Sequence, residues 1–417
     1  MNNNPTIDLL LQGGHVIDPA NDIDGPMDVA ISGEQIARVA REIPAGKARQ
    51  VVDVSGLYVT PGLIDIHTHV YTFRPTAEAY VGAVDADAHL LASGVTTTVD
   101  AGTAGWVHWE DFKRLNIDTS TVRILAFLNI ASGGMVDMAT EQDPAQLQPK
   151  IVAAMAEQYG DVIVGIKTAH YWTKAPWDDA HPPWASVERA VEAGELCGKP
   201  VMVDFWPRPP ERPYPELILE KLRPGDMHTH VFAQQFPMIN EPQSVDGRPR
   251  VYDHMWKARE RGVIFDLGHG AGSFWFRNAQ RALNDGFGPD SISTDLHMGN
   301  INGPVVSMIQ TMSKCHCMGM PLQEVIYRST VTPAREIGHP ELGTLSMGVE
   351  ADVAVIRRLE GRFGYADCGK AKMLGDSKLE AALTIRAGKI VYDPTGLSMP
   401  EWEDAPAPYW VIPNLQN

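Results

Sequence analysis

The sequence predicts an α/β protein in two parts: a (β/α)8 TIM barrel in the middle of the chain and a small β-sandwich assembled from both ends. Three observations carry this expectation. Eight short apolar runs alternate with amphipathic helical stretches through the centre. Residues 1–60 and 342–417 share a different, strand-and-turn texture. Nearly every central run ends in a polar or ionisable residue.

At the first end, IDLLLQGGHVIDP, DVAISGEQIARVA and RQVVDVSGLYVTPG are β-type runs separated by Gly, Asp and Asn turns. GTLSMGVEADVAVIRR and LTIRAGKIVYDP repeat that texture at the other. Residues 31–36 and 385–390 both read as hairpins with glycine at the turn. The simplest arrangement pairs the two ends into one β-sandwich, 1–60 with 342–417.

The centre supplies the strand candidates GLIDIH, GVTTTVD, VRILAFLN, VIVGIK, PVMVDF, DMHTHVF, GVIFDL and SISTD. Helical stretches lie between them, among them AEAYVGAVDADAHLLAS, PAQLQPKIVAAMAEQY, SVERAVEAGELC and VYDHMWKARERG. Eight such units over 61–341 make a closed barrel, and 417 residues leave room for a barrel of ~250 residues plus its companion.

The strand ends carry His67, Asp100, Asn129, Lys167, Asp204, His230 and Asp295, and His269 follows the seventh run by two residues. Barrel enzymes build their sites at that face, so the convergence predicts an active site. His67 and His69, two apart on a strand, point to the same side and can grip one cation. His228 shares the parity of His230 but sits ~6.6 Å lower, which suits a core histidine better than a ligand. Tyr71, Asn129, Tyr171 and His269 are the expected substrate-side residues. His269 lies in a glycine-rich run (FDLGHGAGSF) that reads either as a close backbone approach to a ligand or as a plain turn. The run YWTKAPWDDAHPPW, 171–184, could line an apolar pocket or pack over the barrel mouth.

A net charge of −17 disfavours nucleic acid and anionic membrane surfaces as partners. The four cysteines fit a reducing compartment, and Cys315-His316-Cys317 lacks a second pair at zinc-site spacing. MNNNPTIDLLLQGG has neither a basic n-region nor a long apolar run, and no segment approaches ~18 unbroken apolar residues. The expectation is a cytoplasmic homo-oligomer acting on a small-molecule substrate.

The run VTPGLIDIHTH, Val59 to His69, is similar to the start of the barrel in the amidohydrolase superfamily, in its dihydroorotase-like and deacetylase branch. Gly343-Thr344-Leu345 and Gly348-Val349-Glu350-Ala351-Asp352 extend the resemblance through most of the chain. It implies two divalent metal ions, expected to be Zn²⁺, held by His67, His69, Lys167, His230 and Asp295, with Lys167 carboxylated to a bridging carbamate. Asp295 would be the catalytic proton carrier. The implied reaction is cleavage of an amide or ester bond of a small N-acyl or O-acyl substrate by metal-activated hydroxide. Two alternatives stay open: a cyclic amidase of the dihydroorotase or hydantoinase kind, and a non-catalytic scaffold. The chain departs from the family at the fifth strand, where Asp204 stands in place of the usual histidine; aspartate is itself a competent zinc ligand. Lys167 argues against deamination, whose sites in this superfamily have a fifth-strand histidine and no bridging lysine. Dihydroorotases place an arginine two residues after the paired histidines. Here that position is Tyr71, with Arg74 on the same loop.

Overall fold

The structure, a computed structural model, describes residues 7–72, 82–240 and 249–411. The two ends do pair, within one eight-stranded sheet. Strands Ile7–Asp18, Ile23–Ser32, Gln35–Ala40, Ala48–Asp53 and Tyr58–Pro61 come from the first end, and Val353–Ala366, Lys372–Arg386 and Lys389–Tyr392 from the second. The seam is Tyr58–Pro61, parallel to Ile7–Asp18 on one side and antiparallel to Val353–Ala366 on the other, with Val59 opposite both Val16 and Val355. Both hairpins form in the expected register, Ile31 opposite Ile36 and Ile385 opposite Ile390. Alternating residues of these strands bury a core of their own, including Leu9, Val29, Ile31, Val353, Val355 and Leu383.

Seven of the eight central runs form a parallel sheet in sequence order: Leu63–Thr68, Val95–Ala101, Arg123–Asn129, Ile163–Thr168, Val201–Val203, Met227–His228 and Ile264–Phe265. The eighth, Ser291 to Asp295, forms no continuous ladder. It makes isolated parallel bridges, Asp266 to Ser291 on one side and Thr68 to Leu296 on the other, and so links the two edges of the sheet. Its side chains serve instead of a regular ladder. The Ser291 and Ser293 hydroxyls donate to Asp266, and that of Thr294 donates to Asp65.

The helices are shorter than their apolar patterns. Ala86–Leu90 and a following 3₁₀ turn are all that forms within 82–93, the rest of that predicted helix falling partly outside the described residues. Pro149 starts Pro149–Gln158, since proline fits the first helical turn but not the interior. Ala185–Cys197 ends at Gly198, whose left-handed φ of 68° stops the helix. Cys315 and His316 lie on Met308–Cys317, which is separated from Leu322–Tyr327 by Gly319-Met320-Pro321.

Candidate active site

Six of the predicted side chains converge on one cavity of about 420 Å³: His67, His69, Lys167, Asp204, His230 and Asp295. His67 and His69 close Leu63–Thr68, and Thr68 between them points the other way, its hydroxyl bonded to that of Thr98 at 2.7 Å. The alternation that buries Thr68 in the sheet is what brings both imidazoles inward.

Each imidazole is held through Nδ1. His67 meets the Thr229 hydroxyl at 2.9 Å, His69 the Thr103 hydroxyl at 2.8 Å, and His230 the Gly268 carbonyl at 2.5 Å. Thr229 in turn donates to the buried carboxylate of Asp266 at 2.7 Å. The Nε2 atoms reach the carboxylates of the cavity. Asp295 Oδ1 lies 3.0 Å from His69 and 3.6 Å from His67, while Asp204 Oδ2 lies 3.5 Å from His230. Lys167 Nζ lies 3.2 Å from His67 Nε2 and 3.7 Å from Met202 Sδ.

Three residues of the cavity carry backbone strain. His170, His230 and Asp295 all adopt left-handed φ values, 40°, 63° and 50°. Such residues cost ~1–3 kcal/mol each and persist where the surroundings over-determine them, as at catalytic sites. The two glycines beside His269 have a different job from the expected approach to a ligand. A Cβ on Gly268 would fall 2.2 Å from the Thr229 hydroxyl, and one on Gly270 would fall 2.6 Å from Asp295 Oδ2. They make room for the site's own side chains.

Electrostatics polarise the cluster. Burial, reinforced by Lys167, keeps His67 well below the usual histidine range. Burial opposes protonation of His230 too, but Asp204 and Asp295 overcome it and push that group up to about 9. Burial likewise works against ionisation of Asp204 and Asp295. The neighbouring imidazoles win, and both carboxyls stay below the usual carboxylate range. Burial lowers the Lys167 ammonium.

These residues fit a divalent cation. His67, His230 and Asp295 each present one donor atom, all within 4.8 Å of one another. Imidazole and carboxylate are the donor types zinc takes, and the hydrogen bonds at Nδ1 leave Nε2 to the cavity.

The four expected substrate-side residues do not line the cavity. His269 is fully buried, stacked on Phe274 with its Nε2 bonded to Lys314 Nζ at 2.7 Å. Tyr71 is buried against Phe112. Asn129 is saturated by Gly102, Glu141 and Ala131. Tyr171 is buried, and the following loop packs on itself, with Trp172 stacked on His181 and Arg208 over Trp177. Strand-end position fixed the face of these residues but not their depth. Arg74 lies outside the described residues. His228 is a core residue, enclosed by Tyr214, Phe236 and Phe265.

The wall contains residues that strand ends did not signal: Met135, His170, Trp206, Gln234, Gln235, Ser273 and His297. His170 Nδ1 lies 3.1 Å from Glu141 Oε2, and its Nε2 lies 3.7 Å from Asp204 Oδ2. A histidine three residues past a strand-end lysine was the one available signal.

Parallel strands that deliver imidazoles, an amine and carboxylates to one cavity at their C-terminal ends define a barrel-type metal-dependent hydrolase. No family model matches the chain. A deacetylase of Enterococcus faecalis is 30% identical over 388 residues, covering 93% of this chain and 99% of the relative. Among solved structures, an adenine deaminase superposes with a TM-score of 0.81 at 28% identity, covering 93% of this chain and 100% of its own. A dihydroorotase superposes with a TM-score of 0.75 at 25% identity, covering 92% and 99%. The chain belongs to the amidohydrolase superfamily. It is a hydrolase of C–N bonds.

Proposed function

We propose that the chain is a two-zinc deacylase that cleaves the amide or ester bond of a small N-acyl or O-acyl substrate. His67, His69, Lys167 as carbamate, Asp204, His230 and Asp295 hold the metals. The observation that carries this reading is the meeting of His67, His230 and Asp295 donor atoms within 4.8 Å, beside a buried lysine. Divalent cations bound there would acidify a water and polarise the scissile carbonyl.

The chain's own groups do the rest. Asp295, ionised and beside His69, takes the proton from the attacking water and returns it to the leaving nitrogen or oxygen. Thr229, Thr103 and the Gly268 carbonyl fix the imidazoles, so no reorganisation is needed as charge develops. Trp206 and Met135 give the cavity an apolar wall, and Gln234, Gln235, Ser273 and His297 offer polar contacts. A volume of about 420 Å³ suits a small substrate.

The finer architecture belongs to the same proposal: a closed barrel over 61–341 and a β-sandwich from 1–60 and 342–417. The separate hydrophobic core of the terminal strands supports it. No helix among the described residues is long and apolar enough to cross a membrane.

The test is a metal count on protein purified without added metal, followed by a substrate panel. Close to two zinc ions per chain, with hydrolysis of N-acetyl or O-acetyl small acids, is the expected result. Turnover of dihydroorotate or hydantoins alone would make it a cyclic amidase. Ammonia released from adenine would make it a deaminase. A metal-free, inactive protein would leave only a scaffold.

A further inference from the structure

We infer that His170 is a metal ligand, completing with Asp204 and His230 a second metal position distinct from the one at His67 and His69. This rests on the two-metal reading above.

A zinc site takes four donors and on occasion a fifth, which leaves a place for one more imidazole beside Lys167, Asp204 and His230. His230 and Asp204 give two side chains on one side of the cavity, with Lys167 shared between the two sides. The next donor group there is His170, carried two residues beyond Ile163–Thr168, where the chain turns at a left-handed φ of 40°.

The distances fit shared coordination. Asp204 Oδ2 stands between the two imidazoles, 3.5 Å from His230 Nε2 and 3.7 Å from His170 Nε2. Ligands at ~2.0–2.1 Å from a tetrahedral zinc lie ~3.3–3.4 Å from each other. A shift of a few tenths of an ångström closes both edges to Asp204, and metal binding must also draw the two imidazoles toward each other.

His170 is also built as metal-bound histidines are. Its Nδ1 faces Glu141 Oε2 at 3.1 Å, and the other oxygen of that buried carboxylate is held by Asn129 Nδ2 at 3.0 Å. A carboxylate behind the imidazole fixes the tautomer and raises its basicity as a ligand. The backbone is pinned as well, since Gln142 donates to the His170 carbonyl and accepts from the Trp172 amide. Asn129, expected to touch substrate, is on this reading a positioning residue for Glu141.

The competing arrangement is an ion-pair relay. There His170 carries a proton between Glu141 and Asp204 and never touches metal.

The experiment loads wild-type protein with Zn²⁺ in bicarbonate and locates the ions by anomalous scattering at the zinc edge. The expected result puts His170 Nε2 at ~2.0–2.1 Å from a zinc. Two zinc ions with His170 still paired with Asp204 and more than 3 Å from either ion would overturn the inference while leaving the two-metal reading intact. Metal counts after dialysis give a second readout. His170→Ala should fall from two ions to one, the survivor at His67 and His69. Glu141→Gln should keep both ions but bind the second about 10–100-fold more weakly. Unchanged counts and affinities in both variants would refute the ligand role. A wild-type protein that takes up no metal would remove the two-metal reading and this inference together.

Discussion

Replacing Lys167 by methionine should make the metal-free protein more stable and the enzyme inactive. The Nζ is fully buried, and its polar neighbours are His67 Nε2 at 3.2 Å and Met202 Sδ at 3.7 Å. Among the described residues it makes no ion pair. Desolvating an ammonium costs several kcal/mol; the hydrogen bond to His67 returns ~0.5–1.5 kcal/mol and the Asp204 and Asp295 carboxylates return more, yet burial still outweighs them and lowers the group. Methionine keeps most of the volume packed against Gly102 and removes the desolvated amine. Exchanging buried charge for an apolar isostere is often neutral or stabilising by ~1–4 kcal/mol, and we expect a gain of about 1–3 kcal/mol in the apo form. A chain of 417 residues moves its melting point by only about 1 °C per kcal/mol. Urea denaturation of chelator-treated protein is therefore the sharper assay. The same variant cannot form a carbamate, so its zinc content should fall and bicarbonate should restore nothing. An apo variant less stable than wild type by more than about 1 kcal/mol would show that the amine is a structural donor. A variant holding two zinc ions at wild-type affinity would show that Lys167 bridges nothing.

Three further outcomes follow from the geometry. Asp295→Asn should lower kcat by ~10²–10⁴ with most metal retained; a near wild-type rate would move the proton carrier elsewhere. Thr229→Val removes the hydroxyl on His67 Nδ1 and should weaken metal binding by about 10–100-fold, measured by competition with a chelating dye; unchanged affinity would count against that support. Lys314, buried between His269 and the Pro304 carbonyl, is pushed down by burial from 10.5 to about 8. Between those two values the unfolded chain binds more protons than the folded one, so stability rises with pH. Lys314→Met should therefore lose about 1 kcal/mol of the wild-type gain in stability between pH 7 and pH 9; parallel curves for the two proteins would refute the assignment.

The alternation of the sequence carried most of the fold, because strand and helix periods differ so plainly in the centre. It overstated regularity where polar side chains take over from the ladder. Met227–His228 and Ile264–Phe265 are two-residue strands, and the Ser291 to Asp295 run spends its hydroxyls on Asp65 and Asp266. In the site, strand-end position together with the family resemblance was enough to bring His67, His69, Lys167, Asp204, His230 and Asp295 to one cavity. It failed for Asn129 and Tyr171, whose neighbours Glu141 and Arg212 arrive from distant loops. His170 was hidden for the same reason. Its orientation depends on a left-handed turn and on Glu141, neither of which local pattern encodes.

The seam of the terminal sheet sets the order in which the molecule can be assembled. The Thr60 hydroxyl meets the Ala354 carbonyl across 294 residues of chain, and Tyr58–Pro61 leads directly into the strand that carries His67 and His69. A ribosome-bound chain exposes the open edge of Tyr58–Pro61 throughout synthesis of the centre. Closure costs grow only slowly with loop length, but such distant contacts form late and slowly. Until Val353–Ala366 arrives, the segment feeding the first two histidines is held on one side alone, by Ile7–Asp18, and the lead-in to the catalytic cavity is completed when the far end of the chain clamps the near one.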